Sequence, residues 1–225
     1  MFNFKALLSA WRGGGLISDM YEEFADMLDK ASRTFDTAWK ALRGEVEPES
    51  LAEEVSSRDK EINRTERLIR RQVVEHLSFQ QGADVTLCLI LMSIVKDAER
   101  LGDYARDLFW VSYISPRVAL AEPFAGEVER LHSEITRLIF DSRKALADSD
   151  EELARDVMKR EDRIKKDCDR LIDNLAASGL PSDRTVALTL VSRYLNRITA
   201  HTANVSSGVV NPVERLDFRP EEKRN

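Results

Sequence analysis

The chain has 225 residues, with 34 Lys and Arg against 40 Asp and Glu, a net charge of −6, and a hydrophobic content of 43%. That is enough length and apolar content for a sizeable core, which excludes a disordered chain, and the acidic balance argues against a nucleic-acid module, whose affinity comes from cations meeting phosphates. With only 9 Gly and 6 Pro there is too little punctuation for an all-β fold, so long helices are expected.

Residues 1–17 read as a lead-in. Phe2, Phe4, Leu7, Leu8 and Trp11 form a short amphipathic run, and Arg12-Gly13-Gly14-Gly15 follows without a small-x-small cleavage pattern. This is expected to pack on the body of the protein, with contact to a partner or a membrane face as the alternatives, rather than to act as a signal peptide. A first helix is predicted from Ser18 as N-cap, with Asp19, Glu22 and Glu23 facing the positive end of its dipole. Its seam is Met20, Phe24, Met27, Ala31, Phe35, Ala38 and Leu42, in steps of three and four, and Gly44 ends it. A second helix is predicted over residues 48–76. A third, over 83–111, closes before Ser115-Pro116. Its apolar run, residues 85–95, falls well short of the roughly 20 residues a membrane span needs, so it reads as a buried core helix.

A second seam follows in Phe124, Val128, Leu131, Ile135, Leu138, Ser142 and Ala145. A fifth helix is predicted over residues 150–177, broken at Gly179, and a sixth from Ser182, behind Pro181, to just before Asn211-Pro212. Residues 212–225 form a charged tail, expected to be loose. Short connections make six such helices alternate in direction.

The two halves repeat. At an offset of 102, Leu51, Ala52, Val55, Arg58, Ile62 and Ile69 fall on Leu153, Ala154, Val157, Arg160, Ile164 and Leu171. At an offset of 97, Leu91, Ile94, Lys96, Arg100 and Leu101 fall on Leu188, Val191, Arg193, Arg197 and Ile198. Apolar coincidences arise between any two in-phase helices, but paired basic positions and a shared helix order favour a duplication. The predicted fold is all-α: six long antiparallel helices in two tandem three-helix bundles, residues 18–115 and 116–211. Two isolated cysteines, Cys88 and Cys168, build neither a disulfide framework nor a CxxC site, so a cytoplasmic location is expected.

Chemistry concentrates in one string, Lys96-Asp97-Ala98-Glu99-Arg100-Leu101-Gly102-Asp103-Tyr104-Ala105-Arg106-Asp107. Glu99, Asp103 and Asp107 share one helical stripe, and like charges at that spacing cost roughly 0.2–0.5 kcal/mol per pair. A hard cation with oxygen ligands would offset that cost. Gly102, in mid-helix, suggests close approach of another helix or a ligand. The plainer reading is an ion-pair face, with Lys96 three residues before Glu99, Arg100 three before Asp103 and Arg106 three after it. Glu129-Arg130-Leu131-His132 is a single E-x-x-H, an element that di-iron bundles use twice. His76 and His201 have no partner at metal spacing. Arg64, Arg67, Arg70 and Arg71 form a basic patch broken by Glu66 and Glu75. There is no GxGxxG, P-loop or GxSxG motif, and no catalysis is expected.

The stretch from Leu91 to Asp97, followed by Ala98-Glu99-Arg100-Leu101-Gly102-Asp103-Tyr104-Ala105, resembles the D-x-E-R-I-G-D-H-A signature of the PhoU family of phosphate-uptake regulators. Arg193-Tyr194-Leu195-Asn196-Arg197-Ile198-Thr199-Ala200-His201 resembles that family's R-Y-L-E-R-I-A-D-H. The resemblance runs from Ser18 to Asn211 and implies two three-helix bundles whose E/D-x-x-x-D motifs can hold iron, zinc, manganese or magnesium. Glu99 and Asp103 match an intact motif. Asp59 matches the first acid of another, in which Asn63 takes the place of the second. In the second half, Glu161 is followed by Lys165 where an acid is expected, and Asn196 and Ala200 replace both acids of the last motif. The metal expectation is therefore a weak, exchangeable site on Glu99, Asp103 and Asp59. The resemblance further implies a negative regulator of phosphate-starvation signalling. Its implied partners are the ATPase subunit of a phosphate transporter or a sodium–phosphate symporter, and a sensor histidine kinase; apart from the resemblance, a second copy of the chain as a homodimer is a further expected partner. It would meet the membrane only through those partners. The alternative is a carboxylate-bridged metal protein, for storage or oxidation; a helical module with no phosphate link is a third reading.

Overall fold

A computed structural model describes residues 16–79 and 85–217. Among them are six α-helices and no strand: α1 (Leu16–Arg43), α2 (Pro48–Phe79), α3 (Val85–Ile114), α4 (Ala125–Asp148), α5 (Glu151–Ala176) and α6 (Ser182–Val210). The all-α, six-helix expectation holds. No described helix is long and apolar enough to cross a membrane.

Helix ends follow local chemistry where the sequence supplies it. Gly44 adopts φ 68°. Its N–H bonds to the Ala41 carbonyl at 3.0 Å and that of Glu45 to the Lys40 carbonyl at 2.9 Å, the double closure that ends a helix on a left-handed residue. Asp150 caps α5 by accepting from the Leu153 N–H at 2.9 Å. Gly179, at φ 67°, lies just beyond the end of α5. Ser18 departs from expectation. The first helix begins at Leu16, so Ser18 sits in its first turn and not at its cap. Ile17 packs against the core, and that burial extends the helix past the residue whose side chain favoured a start.

Both predicted seams are buried along their length. Helices α1, α2 and α3 pack on one another, as do α4, α5 and α6, and α3 lies against α6. The apolar side chains of both sets form one continuous core. Along the α3–α6 joint, Ile90 and Ile94 face Gly208, Asp97 meets His201 and Asn204, and Tyr104 faces Tyr194, so these two helices run antiparallel. A methyl group on Gly208 would stand 3.0 Å from the Ile94 side chain, so the small residue sets how closely the two inner helices approach. Gly102 plays the same part within the first bundle. A Cβ there would come within 2.7 Å of Ile62 Cδ1 on α2, which shows that the close approach is by a helix.

The tail departs from expectation up to Asp217. Asn211 Nδ2 donates to the Arg215 carbonyl at 2.8 Å, Leu216 is buried, and the Asp217 N–H donates to Ser207 Oγ at 3.1 Å. Residues 211–217 thus fold back on α6, because apolar burial of Leu216 accompanies the polar anchors. The readings for the lead-in up to residue 15, and for the tail beyond 217, lie outside the described residues.

Candidate functional site

Helices α2 and α3 bring the three sequence-selected acids to one face. Asp59 comes from α2, while Glu99 and Asp103 come from α3; all three side chains are largely buried. Asn63, on the turn after Asp59, donates its amide to the Asp59 carbonyl at 2.9 Å and so is tied into its own helix. Two arginines of α3 enter the acidic face. Arg106 Nη1 lies 2.7 Å from Asp59 Oδ1 and 3.1 Å from Asp103 Oδ1, while its Nη2 lies 2.9 Å from Asp107. Arg100 Nη1 lies 3.0 Å from the other Asp103 oxygen. The expected pairing of Lys96 with Glu99 is replaced. Lys96 turns to Asp97 at 2.7 Å and Asp217 at 3.0 Å, because the folded-back tail supplies a second carboxylate on that side.

Glu99 lacks a strong cation of its own; Arg100 Nε is 3.5 Å away. Burial, reinforced by the charges of Asp103 and Glu66 against the opposing Arg100, pushes its carboxyl up to about 7. Asp59 is also raised, by burial and by the Asp103 and Asp107 charges, against the lowering effect of Arg106. Glu66 is a member of this face that sequence reading treats only as a break in the basic patch. Its spacing from Asp59, seven residues or two helical turns, is the signal that places it there. It is also paired with Arg70 at 2.8 Å.

These groups can share protons and hold guanidinium ions. They do not fit a metal centre as arranged: Arg106 stands between Asp59 and Asp103, where a shared cation would have to sit. Among the described residues, no group of three or more His, Cys, Asp or Glu side chains is placed to hold a metal ion. The single E-x-x-H is also dispersed. Glu129 pairs with Arg43 of α1 at 2.5 Å, whereas His132 stacks on Trp39 with ring centroids 4.0 Å apart. Burial pushes that imidazole down to about 4, so it is neutral between α1 and α4. Cys168 is buried and its thiol is pushed up to about 12, chiefly by that burial.

The second bundle presents the divergent copy of the face. Glu161, the counterpart of Asp59, is buried and paired with Lys165 at 3.0 Å. Asn196, the counterpart of Glu99, donates to Asp169 at 3.2 Å. Ala200 and Ala203 stand where the first bundle has Asp103 and Arg106.

The joint between bundles holds a buried charge that sequence reading did not single out. Asp97 is fully buried on α3; His201 Nδ1 lies 2.8 Å from its Oδ1, Asn204 Nδ2 donates to the same oxygen at 2.9 Å, and Lys96 donates to Oδ2. Burial alone would raise this carboxyl, but the three donors outweigh it and hold it below the ordinary range. The offset of 97 carries Asp97 to Tyr194 and Tyr104 to His201. The counterpart of the Asp97–His201 contact is thus Tyr194 facing Tyr104, and their rings lie 6.2 Å apart. The repeat read from sequence is a physical pseudo-symmetry of the joint.

Comparison with known proteins fits this architecture. The family model for the PhoU domain matches residues 24–109 and 128–209, one stretch in each bundle. The chain belongs to the PhoU domain family. It is 27% identical to a phosphate-specific transport system accessory protein PhoU homolog of Synechocystis over 161 residues, covering 69% of this chain and 71% of that protein. It is 23% identical to a homolog of the same name from Clostridium acetobutylicum over 203 residues, 86% of this chain and 90% of that one. The fold matches crystal structures of PhoU from Pseudomonas aeruginosa (TM-score 0.74, 24% identity) and of the phosphate transport system regulatory protein PhoU from Streptococcus pneumoniae (TM-score 0.72, 18% identity). Each match covers 87% of this chain and 95% of the other. Within this PhoU-domain chain, the first matched stretch contains Asp59, the α3 side of the acidic face and the Asp97 of the joint.

Proposed function

We propose that this chain is an accessory regulator of phosphate transport and phosphate-starvation signalling, acting by protein contact without catalysis or a resident metal. The observation that carries this reading is the PhoU-domain match in both bundles, shared with relatives that are named as accessory proteins of phosphate-specific transport systems. The paired state of the acids supports contact over metal chemistry, since Asp59 and Asp103 already hold Arg106. The partners would be the cytoplasmic ATPase subunit of a phosphate transporter, or a sodium–phosphate symporter, together with a sensor histidine kinase. The regulator works in the cytoplasm and reaches the membrane through them, damping signalling when phosphate is plentiful. Docking through exposed charge weakens with added salt, because such pairs are screened over about 8–10 Å at physiological ionic strength.

The test is complementation of a strain lacking the protein, read as phosphate uptake in replete medium. The folded Glu99→Ala, Asp103→Ala double variant is expected to restore regulation to within about twofold of wild type, and co-purification with the transporter should persist. Loss of regulation by that variant, with chelation silencing the wild type and added metal restoring it, would overturn the metal-free reading.

A further inference from the structure

Helix α2 packs on α1 and α3, with Val55, Ile62, Ile69 and Val73 buried, and its opposite side faces outward. Lys60, Arg64, Arg67 and Arg71 stand on that outer side in steps of four, three and four, and all four are exposed. At the rise of an α-helix they form one row about 16 Å long. The row differs from the patch of four arginines visible in the sequence. Arg70 leaves it, because Glu66 holds its guanidinium at 2.8 Å, and Lys60 joins it one turn before Arg64.

The acids of α2 are engaged elsewhere or stand outside the row. Glu54 pairs with Arg58, Glu61 with Lys30 of α1 at 3.1 Å, and Glu66 with Arg70. Glu53 and Glu75 lie beyond its two ends. Among the described residues, none of the four cations makes an ion pair. Arg67 uses only its Nε, on the Asn63 carbonyl at 3.1 Å, which leaves its two outer nitrogens free. Like charges one turn apart destabilise a helix, and this row stands in a chain of net charge −6. An anionic partner removes that repulsion.

The width of the row selects the partner. It is one side chain wide, with Glu61 along one flank and Glu66 along the other. A broad anionic surface, such as a bilayer or a nucleic-acid duplex, would press on those acids as well as on the cations. The exposed apolar side chains of α2 that could enter a bilayer, Val74 and Phe79, lie outside the row. A narrow acidic segment meets the cations alone. Three of the four are arginines, whose planar forks take both oxygens of a carboxylate, and a helix with acids every three or four residues repeats the spacing of the row.

We propose that Lys60, Arg64, Arg67 and Arg71 form a docking row for an acidic segment of a partner protein, laid along the outer face of α2. This rests on the reading of the chain as a regulator that acts by protein contact, and it names the surface and the chemistry that meets it.

The probe is a synthetic helical peptide with Glu at every third or fourth position, its binding to the 225-residue chain read by fluorescence anisotropy at low salt. Arg64→Gln, Arg67→Gln and Arg71→Gln together should weaken binding on the order of tenfold. Arg137→Gln, Arg163→Gln and Arg170→Gln together change the net charge equally at exposed positions of the second bundle, and should leave binding within about twofold. Circular dichroism checks that both chains are folded. The single variants Arg64→Gln and Arg71→Gln, which remove no ion pair, give the same ordering if the α2 triple variant is unstable. Equal weakening by the two triple variants overturns the proposal, as does tighter binding of phosphatidylglycerol vesicles or duplex DNA than of the peptide. In a strain lacking the protein, regulation of phosphate uptake restored by the second-bundle variant but not by the α2 variant supports the surface. Full restoration by the α2 variant overturns it. A wild-type chain that fails to regulate overturns the regulatory reading instead, with the peptide comparison still deciding the surface.

Discussion

The two bundles solve the same packing problem with different polar chemistry. In the first, α2 and α3 hold Asp59, Glu66, Glu99 and Asp103 around Arg106 and Arg100, and Gly102 lets Ile62 in close. In the second, the buried Glu161 of α5 sits beside its own Lys165, and two alanines of α6 leave a pocket. Thr199 stands in the place of Gly102 and returns its hydroxyl to the Leu195 carbonyl. The apolar framework recurs in both copies because burial constrains both alike, whereas the polar positions differ between them. The joint shows the same asymmetry: a charged contact at Asp97 and His201, and an aromatic one at Tyr194 and Tyr104.

The comparison breaks most sharply at that joint. Asp97→Ala leaves His201 and Asn204 of α6 without their acceptor, while Lys96 keeps Asp217, and is expected to cost about 3 kcal/mol in urea unfolding. Tyr194→Phe, at the mirrored position, keeps the ring contact and should cost under about 1 kcal/mol. Equal losses at the two positions would show that the charge has no special weight.

Arg106→Ala tests whether the guanidinium neutralises the first-bundle face. Asp59, Asp103 and Asp107 then lose their common cation, and destabilisation of about 2 kcal/mol is expected. Lys165→Ala, which removes a more exposed partner of Glu161, should cost less. Added Mg²⁺ or Mn²⁺ should raise the Tm of the Arg106→Ala chain and leave that of the wild type unchanged. A wild-type response of the same size would mean that the acids gather cations even with Arg106 present.

The smallest expected effect is the pH slope that Glu99 of the first bundle contributes, opposite in sign to that of the buried His132 on α4. The Glu99 carboxyl sits at about 7, above its ordinary 4.5. Between those values the folded state keeps a proton that the unfolded chain has released, so this group lowers stability as pH rises from about 4.5 to 7. Glu99→Gln should flatten the decline by about 1–2 kcal/mol, less than the full shift implies because water still reaches the carboxyl. Subtracting the two stability profiles isolates this group from Asp97, whose depressed value works in the opposite direction, losing stability at low pH. The counterpart Asn196 has no proton to exchange, so Asn196→Ala should leave the slope as it is.

Much of this was legible in the sequence because it is local. Seams in steps of three and four determined which face of each helix is buried. Gly44, Asp150 and Gly179 marked ends through backbone freedom and a capping oxygen, and the offsets of 97 and 102 announced two copies of one unit. Placing Glu99, Asp103 and Asp59 on one face was also within reach, given the family signature and helical spacing. The Ser18 cap failed because Ile17 is packed by residues distant in sequence.

The choice of ionic partners was decided only by the tertiary structure. Along a helix, cations three or four residues from an acid differ by only a few tenths of a kcal/mol, so spacing cannot rank Lys96, Arg100 and Arg106. Packing ranks them. Arg106 reaches an acid 47 residues away on α2, Lys96 is drawn to the returning tail, and Asp97 finds His201 across 104 residues. Burial strengthens these contacts and makes an unmet charge costly, and burial exists only once α2, α3 and α6 have come together. The pocket beside Ala200 and Ala203 belongs to the same class: small residues are visible in the sequence, but the space they leave is defined by Met158 and Glu161 on the neighbouring helix.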